Sequence, residues 1–555
     1  MDLVSIVVII QLFFGVVIGL YFWNLLRSQR TNKNAIEKES EKEMEKLRAM
    51  KKVQLTAPLS ERIRPSSLSE VIGQEDGIQA LRAALCSSNP QHVIVYGPPG
   101  IGKTAAARLV LEEAKRNANS PFRETSPFIE IDATTARFDE RGVADPLMGS
   151  VHDPIYQGAG AMGQAGIPQP KRGAVSNAHG GVLFIDEIGE LHPIQMNKLL
   201  KVLEDRKVQY ESAYYSEENK NIPTHIHQIF RNGLPADFRL IGATTRMPEE
   251  IPPAIRSRCL EIFFRELEPE EIINVATRAS KKINCKISDD ALQVLSVYAR
   301  NGREAVNMIQ IAASIAMKEA RDLISQSDME WVVDSSRLSP RLKPNVTPKN
   351  QIGKVNGLAV QGPSTGNLLE IEIMVLPCSD KGTITITGIA EEETIGNQSK
   401  SIKRKSMARG SVENVMTLLK SLGIPAHEYD VHVNFPGGIP VDGPSAGLAM
   451  ASGIYSAIRK IPVRYDTAMT GEVSLYGEIK PIGGVLTKIK AAKQAGATRV
   501  VIPKANYQAI CDKITGIEIF PVETFKEALP LILDLKYLSE NKGKDDELFL
   551  PSSSA

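Results

Sequence analysis

The sequence predicts a multidomain α/β protein: a parallel sheet built around a phosphate loop, an α-helical lid, and a second α/β domain, all behind an N-terminal transmembrane helix. Three observations predict it. At 555 residues the chain is too long for one hydrophobic core. Short apolar runs at 92–96, 128–132, 182–186 and 239–243 alternate with helical patterns, and the first leads into GPPGIGKT at 97–104. Residues 3–26 are apolar and carry no charge, long enough to cross a bilayer.

The N-terminal run has Tyr21 and Trp23 near one end, where an interfacial belt places them. A cleaved signal peptide needs a basic region before its apolar stretch, and here only Met1 and Asp2 precede it. Arg27, Arg30 and Lys33 follow it, which predicts a single-pass cell-membrane protein with its bulk in the cytoplasm. With 1–26 as anchor, 27–57 reads as a charged linker and 58–265 as the phosphate-loop sheet. Residues 266–340 are helical, with amphipathic stretches such as 305–319. Pro340, Pro344 and Pro348 mark a linker at 341–352. The second α/β domain spans 353–540, with strands at 369–375, 383–387 and 430–434, and the polar tail 541–555 is expected to be disordered. The five cysteines are scattered without metal or disulfide spacing, and a net charge of +1 predicts no specific nucleic-acid partner.

Two motifs make a nucleotide site. Gly97, Pro98, Pro99, Gly100, Ile101, Gly102, Lys103 and Thr104 lie between a strand and a helix at 104–116, the context a phosphate loop requires. The glycines let backbone N–H groups turn toward phosphate, Lys103 reaches the β- and γ-phosphates, and Thr104 ligates Mg²⁺. GGVLFIDE at 180–187 is a buried strand with Asp186 emerging at its carboxyl end, beside the Mg²⁺ held by Thr104. Glu187, the next residue, is placed to polarise the attacking water.

These residues resemble the AAA+ ATPases, so the chain is expected to use ATP and Mg²⁺. The resemblance implies three more landmarks. LIGATTR at 240–246 is similar to the sensor-1 strand, with Thr245 at its tip. AIRSRC at 254–259 is similar to the arginine-finger segment; Arg258 is favoured over Arg256, although the spacing does not decide between them. NGRE at 301–304 puts Arg303 at sensor 2 in the lid. A finger that acts on a neighbouring subunit implies a ring, a homo-oligomer of six subunits in this family.

The second chemistry rests on a serine and a lysine. GGIPVDGPSAGL at 437–448 sets Ser445 among small residues at the start of a helix at 446–458, where the helix N-terminus can stabilise an oxyanion. VLTKIKAAKQAG at 485–496 is a short helix ended by Gly496. At 100° per residue, Val485, Ala491, Ala492 and Ala495 form one apolar stripe with Lys488 at its centre, and Lys490, Lys493 and Gln494 fall opposite. An inward lysine has a lowered pKa, which suits a general base for serine.

DGPSAG at 442–447, MTGEVSLYGEIKPIGG at 469–484 and Lys488 resemble the peptidase domain of the Lon family, over about 60–538 in all. The order of membrane segment, motor and peptidase is similar to the membrane-anchored LonB branch, whereas the DGPSAG form is typical of LonA. The resemblance implies an ATP-dependent serine protease that unfolds protein substrates and cleaves them with Ser445 and Lys488. It also implies that Thr470 helps to position Lys488, with His432 and Asp442 as neighbours. Two other classes share part of the pattern: an ATP-driven unfoldase or chaperone without proteolysis, and an AAA+ DNA motor. A DNA motor needs a basic DNA-binding domain after the lid, where this chain has the Ser-Lys segments.

Overall fold

The computed structural model describes residues 13–23, 43–50, 59–136, 145–152, 167–212, 215–219, 222–341, 345–361, 365–378, 382–388, 392–395, 402–405, 407–436, 444–535 and 537. The chain divides into two compact units, Met1–Arg62 and Ile63–Ala555. In the first, residues 13–23 are helical and their large side chains, among them Phe13, Phe14, Phe22 and Trp23, are exposed. Among the described residues no helix is long and apolar enough to cross a membrane. Residues 3–12 and 24–26 of the apolar run, most of the charged linker, and the tail from Asn541 lie outside the described residues.

Two large sheets organise the described residues of the second unit. The first is built from β1 (His92–Tyr96), β2 (Phe128–Asp132), β3 (Val182–Asp186), β4 (Arg239–Thr244) and β5 (Cys259–Phe263), all parallel, in the order β2-β3-β4-β1-β5. Strands β1, β3 and β4 are central and covered on both faces, so they read as unbroken apolar runs rather than alternating ones. β5 is an edge strand that alternates in burial and carries Glu261, which explains why no apolar run announced it. The order separates β1 from β3 by one strand. The phosphate loop after β1 and the carboxylates after β3 therefore flank the carboxyl end of β4, where Thr245 follows directly.

The loop leads into α1 (Lys103–Arg116). Four lid helices follow the sheet: α2 (Pro269–Lys282), α3 (Asp289–Tyr298), α4 (Gly302–Lys318) and α5 (Gln326–Ser335). Their starts are written locally. Ser288, Asn301 and Ser325 cap three of them by accepting from Ala291 N, Glu304 N and Asp328 N, and α2 opens with Pro269 in a Glu268–Glu271 capping box.

The second sheet is mixed. It contains β6 (Lys354–Gln361), β7 (Thr365–Pro377), β8 (Ile384–Thr387), β9 (Tyr429–Asn434), β10 (Thr467–Met469), β11 (Arg499–Pro503) and β12 (Glu518–Val522), in the order β8-β9-β7-β6-β10-β11-β12. Side chains alternate between two cores. Leu369, Ile371, Met469 and Val501 face α6 (Met407–Ser421) and α7 (Gly447–Arg459). Leu368, Ala468, Val500 and Ile502 face α8 (Val485–Gln494) on the other side. Every residue of α7 from Gly447 to Ile458 is buried. Helix α8 lies close on β7, because a Cβ on Gly366 would stand 2.6 Å from the Thr487 carbonyl oxygen and 2.9 Å from Ala491 Cβ. Only glycine permits that approach.

Candidate active sites

In the first site the loop residues Gly97, Gly100 and Gly102 have φ of 152°, 75° and 95°, a backbone region that side chains rarely adopt. Lys103 is buried, and its Nζ donates to the Gly97 and Pro98 carbonyl oxygens at 2.6 and 3.0 Å. The ammonium thus lies curled back inside the loop, against its first two residues. Burial lowers its pKa, opposed by the nearby Glu187 and Asp186 carboxylates. Burial raises the pKa of Asp186, opposed by Lys103. Thr104 is half-buried on the first turn of α1.

Glu187 adopts φ 49°, a strained conformation for a residue with a side chain. Its Oε2 accepts from Thr245 N at 3.1 Å and from Thr245 Oγ1 at 3.0 Å. Sequence reasoning assigned these two residues separately and missed their bond, since nothing in a spacing of 58 residues announces it. The lid closes over the loop from above: a Cβ on Gly100 would stand 2.7 Å from Asn301 Oδ1 and 3.2 Å from Arg303 Cβ. Arg303 is near enough to Lys103 to oppose its charge.

The two arginines of 254–259 differ in their bonds. Arg256 Nε donates to Glu261 at 2.6 Å, and the same oxygen accepts from the buried Tyr96 hydroxyl at 2.9 Å, tying Arg256 into its own subunit. Arg258 donates to the Ala254 carbonyl oxygen and to Glu204 of helix Pro193–Asp205, a pair that stays exposed.

In the second site the serine and the lysine arrive from opposite faces of the mixed sheet. Ser445 lies in the short 3₁₀ turn Pro444–Ala446 that opens α7. Lys488 is on α8, only 3% exposed, while Lys490 and Lys493 are exposed, so the helical projection holds. Thr470 follows β10, between the two helices, and is fully buried. Lys488 Nζ donates to Thr470 Oγ1 at 3.3 Å, and Thr470 Oγ1 donates to the Ser445 carbonyl oxygen at 3.2 Å. Gly471 N donates to that oxygen at 2.9 Å. Among the described residues, Thr470 makes the link; the Ser445 hydroxyl and Lys488 are not directly hydrogen-bonded. Burial alone lowers the Lys488 ammonium to about 8. His432 is exposed on β9, its Nε2 3.1 Å from Thr387 Oγ1, and nothing ties it to Lys488. Asp442, with the rest of 437–443, lies outside the described residues.

Two family models match the chain: the Lon protease (S16) C-terminal proteolytic domain over 332–534, and the ATPase family associated with various cellular activities (AAA) over 93–267. The chain is 68% identical to Lon protease 2 of Bacillus subtilis over 96% of its own length and 97% of that protein. The chain belongs to the Lon protease family. It is likewise similar to archaeal Lon proteases, at 30% identity for that of Thermococcus kodakarensis (74% of this chain, 67% of that protein). For that of Pyrococcus abyssi the identity is 29%, over 77% of this chain and 44% of that protein. This Lon-family chain is an ATP-dependent serine protease with ATPase activity, and half-buried Ser445 with buried Thr470 and Lys488 sits within the span matched to the proteolytic domain.

Proposed function

We propose that Ser445 is the nucleophile and Lys488 its general base, serving a ring of six copies held at the cell membrane. The observation that carries the peptidase reading is a buried Lys488 whose Nζ shares the Thr470 hydroxyl with Ser445. A neutral Nζ accepts the Ser445 hydroxyl proton as Oγ attacks the scissile carbonyl carbon. The acyl group is held on Oγ while the protonated Lys488 gives its proton to the departing amine. Water then attacks the acyl carbon and loses a proton to Lys488; the bond from that carbon to Oγ breaks, Lys488 gives the proton to Oγ, and the peptide carboxylate leaves with Ser445 restored. Thr470 holds Nζ at the serine. Peptide cleavage therefore rises with pH through about 8, where Lys488 loses its proton, and levels off above it. A rise that continued to pH of about 10, the range of an exposed lysine, would contradict a buried base.

In the motor, residues 97–104 cradle phosphate: the glycines take positive φ, which lets backbone N–H groups turn toward the phosphate, and Lys103 supplies the cation. Mg²⁺ is ordinarily held by one or two protein oxygens plus phosphate oxygens, which suits Thr104 and Asp186. When bound, ATP supplies the free energy that drives unfolding. Glu187, fixed by Thr245, orients and polarises water. Arg303 lies over the loop from the lid, and Arg258, whose exposed ion pair exchanges at little cost, is the arginine offered to a neighbouring subunit.

Membrane attachment rests on the uncharged residues 3–26, of which 13–23 are helical and expose their apolar side chains, and on the basic residues that follow. Deletion of 1–26 is expected to give a soluble protein with ATPase activity intact, measured by fractionation of washed lysate. Full-length protein in the soluble fraction would contradict the anchor. ATP-dependent degradation of casein tests the whole function: a chaperone or a DNA motor would hydrolyse ATP and leave casein whole.

A further inference from the structure

Residues 264–268 join the motor sheet to the lid, and this hinge touches the nucleotide loop and the peptidase. Phe264 N donates to the Tyr96 carbonyl oxygen at 2.8 Å, and a Cβ on Gly97 would stand 2.6 Å from the Phe264 carbonyl oxygen. The hinge therefore lies against the first residue of the phosphate loop. Gln74 grips Arg265 on both backbone groups, donating to its carbonyl oxygen at 2.8 Å and accepting from its N–H at 3.0 Å.

Two contacts lead outward. Gln494, the last residue of α8, donates through Nε2 to Glu268 Oε1 at 3.4 Å, across 226 residues of sequence. Arg341, past the lid, donates through Nη2 to the Leu267 carbonyl oxygen at 3.2 Å and lies 3.6 Å from Glu266 Oε2. The Arg341 backbone N–H also bonds the Val297 carbonyl oxygen of α3 at 2.8 Å.

We propose that Gln494 and Arg341 are positioning residues for peptide cleavage: they carry the nucleotide state of the motor from the hinge to α8, and so to Lys488. The proposal rests on residues 97–104 as the nucleotide loop and on Ser445 and Lys488 as the catalytic pair. Gln494 lies six residues beyond Lys488, about 9 Å along the same helix. A hydrogen-bonded helix of that length moves as a rod, so a shift at Glu268 displaces Nζ relative to Thr470. Arg341 supplies the second arrangement that coupling requires. Its Nη1 is buried and has no partner among the described residues, an unfavourable state for a guanidinium N–H. A turn of the lid that brings the Glu266 carboxylate across both Nη atoms satisfies it as a bidentate pair. The two lid positions then differ in a defined contact.

The test uses the full chain and a short fluorogenic peptide that needs no unfolding, cleaved with and without ATP. Wild type is expected to cleave faster with ATP. In Gln494→Ala and in Arg341→Met the stimulation of kcat should fall at least about 5-fold, with ATP hydrolysis and nucleotide-free cleavage unchanged. Arg341→Lys should restore part of it. Gln494 is exposed, so its variant folds and decides the matter if Arg341→Met does not. Full stimulation in Gln494→Ala, or none in wild type, would overturn the proposal. Cleavage that survived in Ser445→Ala would instead overturn the catalytic pair on which it rests.

Discussion

Lys488→Ala is expected to lower peptide-bond cleavage by about 10²–10⁴-fold, the contribution of a positioned general base, and to leave ATP hydrolysis unchanged. Lys488 lies in the peptidase core, and the motor has its own complete set of groups. Lys490→Ala is the control: two residues along, it is exposed to solvent and should cleave normally. Lys488→Arg should fail as fully as alanine, because a guanidinium stays protonated and cannot accept the serine proton. Peptide cleavage and phosphate release, measured on the same preparations, check all three. Near-normal cleavage by Lys488→Ala, or its loss in Lys490→Ala, would refute the assignment of the base.

Glu187→Gln is expected to slow ATP hydrolysis by about 10²–10⁴-fold while nucleotide binding persists. The amide keeps the size of the carboxylate, and its oxygen still accepts from Thr245, so the strained turn at φ 49° keeps its support. What is lost is the charge that polarises water. Folded substrates should then survive, since unfolding needs turnover, while short peptides are still cut. Nucleotide binding by equilibrium titration and phosphate release by a steady-state assay separate the two effects. Hydrolysis at the wild-type rate would show that another group activates the water.

Much of both sites was legible in the sequence because their signals are local. A glycine-rich loop between strand and helix announces itself, as do two acids after an apolar strand. Lys488 was separable from Lys490 and Lys493 because side chains on a ten-residue helix repeat at a fixed angle. The relations that assemble the sites were not legible. That Ser445 and Lys488 come from opposite faces of one sheet depends on strand order, and β6, β10 and β12 do not show in the sequence as clear apolar runs. The Glu187–Thr245 bond, the Gln74 grip on Arg265 and the Gln494–Glu268 contact join residues 58, 191 and 226 apart. No spacing encodes them; they follow from packing. The difference between Arg256 and Arg258 is of the same kind, since Glu261 that ties up Arg256 lies on the edge strand the apolar pattern missed.

The claim at the centre is that one serine, Ser445, does the cutting while a separate motor burns ATP. Wild type and Ser445→Ala, incubated with ATP and casein while casein loss and phosphate release are both followed, test it most directly. The expected result is casein degraded by wild type only, with phosphate released by both. Casein degradation by Ser445→Ala would place the nucleophile elsewhere in the chain.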